Sequence, residues 1–183
     1  WVYHDFRRTF STHMNERGHP FHIIEAQAAQ VYWKELFGKA FRRDRKGDGP
    51  NSHLNYGYAV LRSSMTSAVL ASGLHPTFGL FHKNKSNPLC LVDDLIEPYR
   101  PLIDHVVFRI QEKGLTELTP VAKRALAAVL IADQSRIGST SPLFKHMHNL
   151  SLAISELFIG REASLFFPTL LPELEVEALV SDC

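Results

Sequence analysis

Five side chains between positions 25 and 97 have the types and spacing that metal-assisted chemistry uses. Glu25 heads EAQAAQVYWKEL; on a helix its neighbours three and four residues on are Ala28 and Ala29, then Tyr32 and Leu36. A carboxylate on that small, apolar face is costly unless a cation or strong hydrogen bonds compensate it. His82 lies in GLFHKNKSN beside Lys83 and Lys85, and imidazole is a common ligand for transition metals. In DDLIEPYRP, Asp94 and Glu97 are three apart and Asp93 and Glu97 four apart. Either pair shares one helix face, where like charges repel and a divalent cation would reverse the penalty. Each residue also has an ordinary explanation: a glutamate reaching water, one of ten histidines, acidic groups complementing a helix N-terminus. Together they suggest an oxygen-rich site with one imidazole, suited to Mg²⁺ or Mn²⁺ rather than structural zinc. Such an ion activates a hydroxyl nucleophile and stabilises charge on a phosphate under attack. Spacing alone does not show that Glu25 meets the other ligands.

The elements that must position these groups are helical. Ile24, Ala28, Val31 and Leu36 give a helix over about 22–37, with Gly38 as its stop. RRDRKGDGPNS (42–52) reads as a loop broken by Gly47, Gly49 and Pro50. Leu54, Tyr58, Leu61, Met65 and Val69 recur at helical spacing over about 52–72, and Gly73 sits where a terminating glycine belongs. Residues 74–90 form an irregular loop. A third helix is expected near Asp93, distorted by Pro98 and Pro101 before it continues through IDHVVFRIQ. Thr119-Pro120 and Ser141-Pro142 each look like an N-cap followed by a first-turn proline, opening helices to about 132 and 159. Convincing strand alternation is absent. The expectation is therefore one all-α domain over 1–183, with a core at 21–160 and a loosely packed tail at 161–183.

The bulk composition is that of an ordinary globular protein: 183 residues, 45% hydrophobic and 21% charged. No apolar run approaches the ~20 residues that cross a bilayer. The opening WVYHDFRRTF has charges where a leader's apolar stretch would lie. Two cysteines, Cys90 and Cys183, build neither a disulfide framework nor a zinc ribbon, and a cytoplasmic location is expected. The net charge of +1 hides an asymmetry. Residues 1–113 hold 15 basic and 11 acidic side chains; residues 114–183 hold 5 and 8. The densest basic run is Arg42, Arg43, Arg45 and Lys46, compatible with phosphate contacts without demanding them.

The segment LNYGYAVLRSSMTSAVLASGLHPTFGLFHKNKSNPLCLVDDLIEPYRPLID (54–104) resembles the core of the CRISPR-associated "Cas-one" endonuclease, the catalytic subunit of the spacer-acquisition integrase, in its type II version. EAQAAQVYWKELFG (25–38), followed by a basic FRR, resembles that family's upstream helix. The likeness is nearly continuous over about 21–104, and residues 105–160 fit in pattern only. It implies that Glu25, His82 and Glu97 are catalytic and hold Mg²⁺ or Mn²⁺, with Asp94 as a nearby acidic helper. Asp93 leaves a competing register for the third ligand.

The resemblance further implies a reaction in which the 3′-hydroxyl of a prespacer strand attacks a phosphodiester of the CRISPR repeat, with no protein nucleophile. Arg62, Lys83, Lys85, Arg42 and Arg43 are then candidates for binding the double-stranded DNA. It implies a homodimer, two of which are bridged by a small ferredoxin-like partner, and no membrane. The family normally carries an N-terminal β-rich domain; no strands are expected before Glu25, so the chain is expected to represent the C-terminal catalytic domain. A related transposon integrase and a non-catalytic DNA-binding module are the alternatives. The dipeptide His4-Asp5 hints at an HD-type phosphohydrolase, but no matching His and Asp residues surround it.

Overall fold

The computed structural model describes residues 21–82, 84–136, 139–169, 173–181 and 183. Side chains of 21–27, 135–136, 139 and 173–175 lie outside that description, as do Lys83, His4 and Asp5 altogether. The helices are α1 (Phe21–Phe37), α2 (Pro50–Ala71), α3 (Cys90–Ile96), α4 (Arg100–Glu112), α5 (Pro120–Ala128), α6 (Leu143–Phe158) and α7 (Glu173–Leu179). Short 3₁₀ turns at Glu97–Tyr99 and Val129–Ile131 follow α3 and α5.

Helix α2 is the axis of the fold, packed by α3, α4, α5 and α6. Its predicted apolar stripe faces inward: Leu54, Leu61, Met65 and Val69 are fully buried. They meet Ile103, Val106, Val107 and Ile110 of α4, Leu126 of α5, and Leu143 and Met147 of α6. Each such side chain contributes roughly 1.5–3 kcal/mol by leaving water. Gly57 lets α2 and α4 approach closely; a Cβ there would lie 2.4 Å from Ile103 Cγ2.

The helix ends follow local chemistry. Gly38 and Gly73 terminate α1 and α2 with φ of 91° and 73°, backbone that a glycine adopts freely. Helix α2 starts at Pro50, two residues before the expected Ser52, because proline fits the first turn and Gly49 supplies a φ of 59° ahead of it. Thr119 caps α5 as its spacing predicted, Oγ1 accepting from Ala122 N at 3.2 Å.

Four departures stand out. Helix α3 begins at Cys90, earlier than expected, because Leu91, Val92, Leu95 and Ile96 bury an apolar face. Pro98 and Pro101 divide α3 from α4 instead of distorting a first turn, which places Glu97 at the joint between the two helices. Ser141-Pro142 does not cap α6. Both residues belong to β2 (Ser139–Pro142), paired antiparallel with β1 (Asp133–Arg136), and α6 starts at Leu143. That hairpin is the exception in a helical fold. Its eight residues are mostly polar, DQSR and STSP, so no alternation announced it. From the tail expected to pack loosely, Val176 and Val180 are fully buried in the core cluster.

Candidate metal centre

The loop between α2 and α3 is shaped around one carboxylate. Asp94 sits on α3 with its side chain only 3% exposed. Its Oδ2 accepts from the backbone N–H of Leu80 at 2.6 Å and of Phe81 at 3.0 Å. Its Oδ1 accepts from His82 N at 3.2 Å and from His82 Nδ1 at 2.5 Å. A carboxylate that accepts several N–H bonds holds a loop strongly, since charge-assisted bonds are about twice as strong as neutral ones. Gly79 permits the wrap. A Cβ there would lie 2.4 Å from His82 O and 2.9 Å from Asp94 Oδ2, so only glycine fits without a shift.

This arrangement fixes the histidine's chemistry. An ionised aspartate only accepts, so Nδ1 carries the hydrogen and, in the neutral ring, Nε2 carries the lone pair. A carboxylate–histidine pair of this kind orients ring and tautomer for a metal ion. The side chain of His82 is 48% exposed, so the ring is accessible.

Asp93 does different work from its neighbour. Consecutive helix residues point about 100° apart, so the two carboxylates serve different faces. Arg62 reaches Asp93 through two parallel bonds, Nε–Oδ1 at 2.7 Å and Nη2–Oδ2 at 2.9 Å. Asn87 adds Nδ2–Oδ2 at 2.7 Å, and its own Oδ1 accepts from Arg62 and from Leu89 N. Burial works to raise the Asp93 carboxyl, but the bonds from Arg62 and Asn87 and the nearby guanidinium charges outweigh it and hold it below the usual carboxylate range. The Arg62–Asp93–Asn87 knot therefore closes the base of the loop. Asp94, and not Asp93, is the acid that meets His82.

Glu97, at the α3–α4 joint, is paired with Arg100 Nη1 at 2.9 Å. Arg100 also lies over the Tyr58 ring, 5.2 Å from its centroid. Among the described residues, no three His, Cys, Asp or Glu side chains converge closely enough to hold a metal ion. Glu25 lies on α1, and its side chain is outside the described residues. Of the expected metal ligands, the structure describes the side chains of two, the imidazole oriented by Asp94 at His82 and the carboxylate paired with Arg100 at Glu97, types a divalent cation can take as ligands.

The expected DNA-binding cations fall into two groups. Lys85 and Arg42 are exposed. Arg62 is engaged as above, and Arg43 bonds Asn51 Oδ1 at 3.0 Å, Asn55 Oδ1 at 2.6 Å and its neighbour's carbonyl. Burial lowers the Arg43 pKa, and its guanidinium sits 5.6 Å from the Tyr58 centroid. Asn51, Asn55 and Asn87 were not among the residues that sequence reasoning singled out. Nothing in their spacing marks them, since each acts on a partner several residues away.

The sequence from residue 18 to residue 137 matches the protein family described as CRISPR associated protein Cas1. The chain belongs to the Cas1 family. That match contains the whole of α1 to α5, hence Glu25, His82, Asp94 and Glu97. The chain is 44% identical over 108 residues to the CRISPR-associated endonuclease Cas1 of Neisseria meningitidis serogroup C (strain 8013), covering 58% of this chain and 35% of that protein. It is 33% identical over 138 residues to CRISPR-associated endonuclease Cas1 2 of Pyrobaculum aerophilum, covering 72% of this chain and 46% of that one. The chain thus spans less than half the length of both Cas1 relatives. Among solved structures, a casposase bound to its integration product shares the fold at a TM-score of 0.67 and 20% identity, covering 88% of this chain and 55% of that one. Among the described residues, no helix of this Cas1 chain is long and apolar enough to cross a membrane.

Proposed function

We propose that this chain supplies the catalytic part of a metal-dependent DNA endonuclease and integrase of CRISPR spacer acquisition. The observation that carries the reading is the His82–Asp94 pair: an exposed imidazole, its tautomer set by a buried carboxylate, in a chain of the Cas1 family. In this reading Glu25, His82 and Glu97 hold Mg²⁺ or Mn²⁺. The bound ion would neutralise charge on the attacked phosphate and favour deprotonation of the attacking hydroxyl.

The reaction is a transesterification. The 3′-oxygen of a prespacer strand forms a bond to phosphorus in the CRISPR repeat, and the repeat's own 3′-oxygen leaves and takes up a proton. The chain's residues orient this exchange. Asp94 fixes the imidazole, Arg100 steadies Glu97, and the Arg62–Asp93–Asn87 knot holds the loop. Lys83, Lys85 and Arg42 are proposed to contact phosphates; Arg62 and Arg43 add positive charge while engaged by their own partners. Double-stranded DNA, both prespacer and repeat, is the proposed partner. A homodimer and a small ferredoxin-like adaptation protein complete the proposed assembly. A fold shared with a casposase captured on its integration product is compatible with DNA joining.

The test is strand rejoining on a branched DNA that mimics a half-integrated product, with Mn²⁺, with EDTA, and in His82→Ala and Glu97→Ala. Metal-dependent rejoining that both substitutions abolish, with the fold intact by circular dichroism, is expected. Full activity in either variant removes the proposed site. Absence of rejoining by both this chain and the full-length gene product overturns the reading.

A further inference from the structure

A buried polar cluster joins the helix that carries Glu25 to the segment that carries Glu97. Asp104, on α4, is 3% exposed. Its Oδ2 accepts from the Tyr32 hydroxyl of α1 at 2.6 Å, and its Oδ1 accepts from the Tyr58 hydroxyl of α2. One carboxylate thus ties three helices. Burial, followed by the Asp104 charge and hydrogen bond, raises the Tyr58 pKa well above the usual phenol range, so Tyr58 stays a donor. Tyr58 also carries Arg100 over its ring, and Arg100 holds Glu97.

Of the described side chains of α1, Ala28 and Tyr32 are the buried ones. On α1, Trp33 and Phe37 also pack half-buried against the core. Apolar side chains would fill the same space without the cost of taking a carboxylate out of water, a replacement that is often neutral or stabilising. What the carboxylate adds is direction, because hydrogen bonds are sensitive to angle where packing is not. Glu25 precedes Tyr32 by seven residues, two helical turns and about 10 Å along the axis. A tilt of about 5° at Tyr32 therefore moves the backbone at Glu25 by about 1 Å. Metal–ligand distances tolerate only about 0.2 Å.

We infer that Asp104 is a positioning residue which, through Tyr32 and Tyr58, sets the Glu25 helix against Glu97 and so tunes the site's affinity for its divalent ion. This rests on the proposed metal site of Glu25, His82 and Glu97. It assigns Tyr32 and Tyr58 the role of orienting α1 and α2, not of touching the ion or the DNA.

The test is Mn²⁺ titration followed by electron paramagnetic resonance of the free ion, on the wild type and on Tyr32→Phe, Asp104→Asn and His82→Ala. Tyr32→Phe removes one hydroxyl and leaves the ring. Its Mn²⁺ dissociation constant is expected to rise about tenfold, as for lost outer-shell partners of metal ligands. Its circular dichroism should match the wild type, and its rejoining rate should approach the wild-type value as Mn²⁺ saturates. Asp104→Asn should shift the same way, and further. If Asp104→Asn does not fold, Tyr32→Phe decides. Unchanged Mn²⁺ affinity in Tyr32→Phe, with binding lost in His82→Ala, overturns the positioning role and leaves the metal site standing. No Mn²⁺ binding by the wild type, or full binding by His82→Ala, overturns the metal site and this inference with it.

Discussion

Asp94→Asn separates the two jobs that one carboxylate performs. The aspartate serves four donors: Leu80 N and Phe81 N on Oδ2, His82 N and His82 Nδ1 on Oδ1. Asparagine is nearly the same shape but offers one acceptor oxygen, and its amide nitrogen confronts the donors left on the other side. With the amide nitrogen towards Leu80 and Phe81, both donors lose their acceptor; turned the other way, it leaves His82 N unpaired and forces the imidazole into its other tautomer. These donors border solvent, so each loss falls at the low end of the usual range, about 1 kcal/mol, and the remaining pair loses its charge assistance. The total is roughly 2–3 kcal/mol. For a chain of this size that lowers the thermal midpoint by roughly 4–12 °C, less whatever appears as local opening of the loop.

Amide hydrogen exchange at Leu80, Phe81 and His82 reads that local part directly, and thermal denaturation reads the rest. His82→Ala is the control. It removes one bond of the four from a side chain that is 48% exposed, so it should cost within about 1 kcal/mol. Stability should therefore fall more in Asp94→Asn, whereas Mn²⁺ binding should fall more in His82→Ala. Asp94→Asn with wild-type exchange at those three amides, or His82→Ala the less stable of the two, would refute the account of the loop.

Three more outcomes are expected. Gly79→Ala should destabilise the loop by roughly 1–3 kcal/mol, because its Cβ meets His82 O and Asp94 Oδ2 inside van der Waals distance; wild-type amide protection at Leu80 and Phe81 would show that the turn gives way freely. Asp93→Asn should cost on the order of 1 kcal/mol near neutral pH, discounted because Arg62 is 39% exposed. The folded Asp93 pKa lies below the unfolded 3.8, so its contribution is fully present above about that pH and fades as the pH falls through the folded value. Urea denaturation of both proteins at pH 7 and near pH 2 checks the sign, and a gap that widens in acid would contradict it. Neutralising Lys83 and Lys85 together should weaken DNA binding and reduce the slope of log affinity against log salt by about 1 for each phosphate left without its lysine; an unchanged slope would make both bare surface.

Joining α1 to α4 through a carboxylate also explains why two tyrosines that looked like parts of apolar stripes have polar work to do. Tyr58 falls on the stripe of α2 with Leu54 and Leu61, and its hydroxyl reaches beyond that stripe to Asp104. The signal for the cluster was present but weak. Asp104 is a lone acid among Leu102, Ile103, Val106 and Val107, all of them buried. Such an acid must find donors, yet the sequence does not name them, because Tyr32 is 72 residues away and Tyr58 is 46 away.

The helical class, the inward stripe of α2, the glycine stops at Gly38 and Gly73, the Thr119 cap and the family likeness over about 21–104 could all be read along the chain. These are local matters, since helical periodicity and capping act within one or two turns, and a long ordered match needs no tertiary knowledge. The sequence also brought forward His82, Asp94 and Glu97 as candidates, with Asp93 offering a competing register for the third ligand. That Asp94 meets His82 while Asp93 meets Arg62 emerges from the packing, because it depends on how α3 is rotated against α2. That rotation is set by the burial of Leu91, Val92, Leu95 and Ile96 in the core. The Tyr32–Asp104–Tyr58 cluster likewise follows from contacts between distant residues, which no periodicity along the chain records.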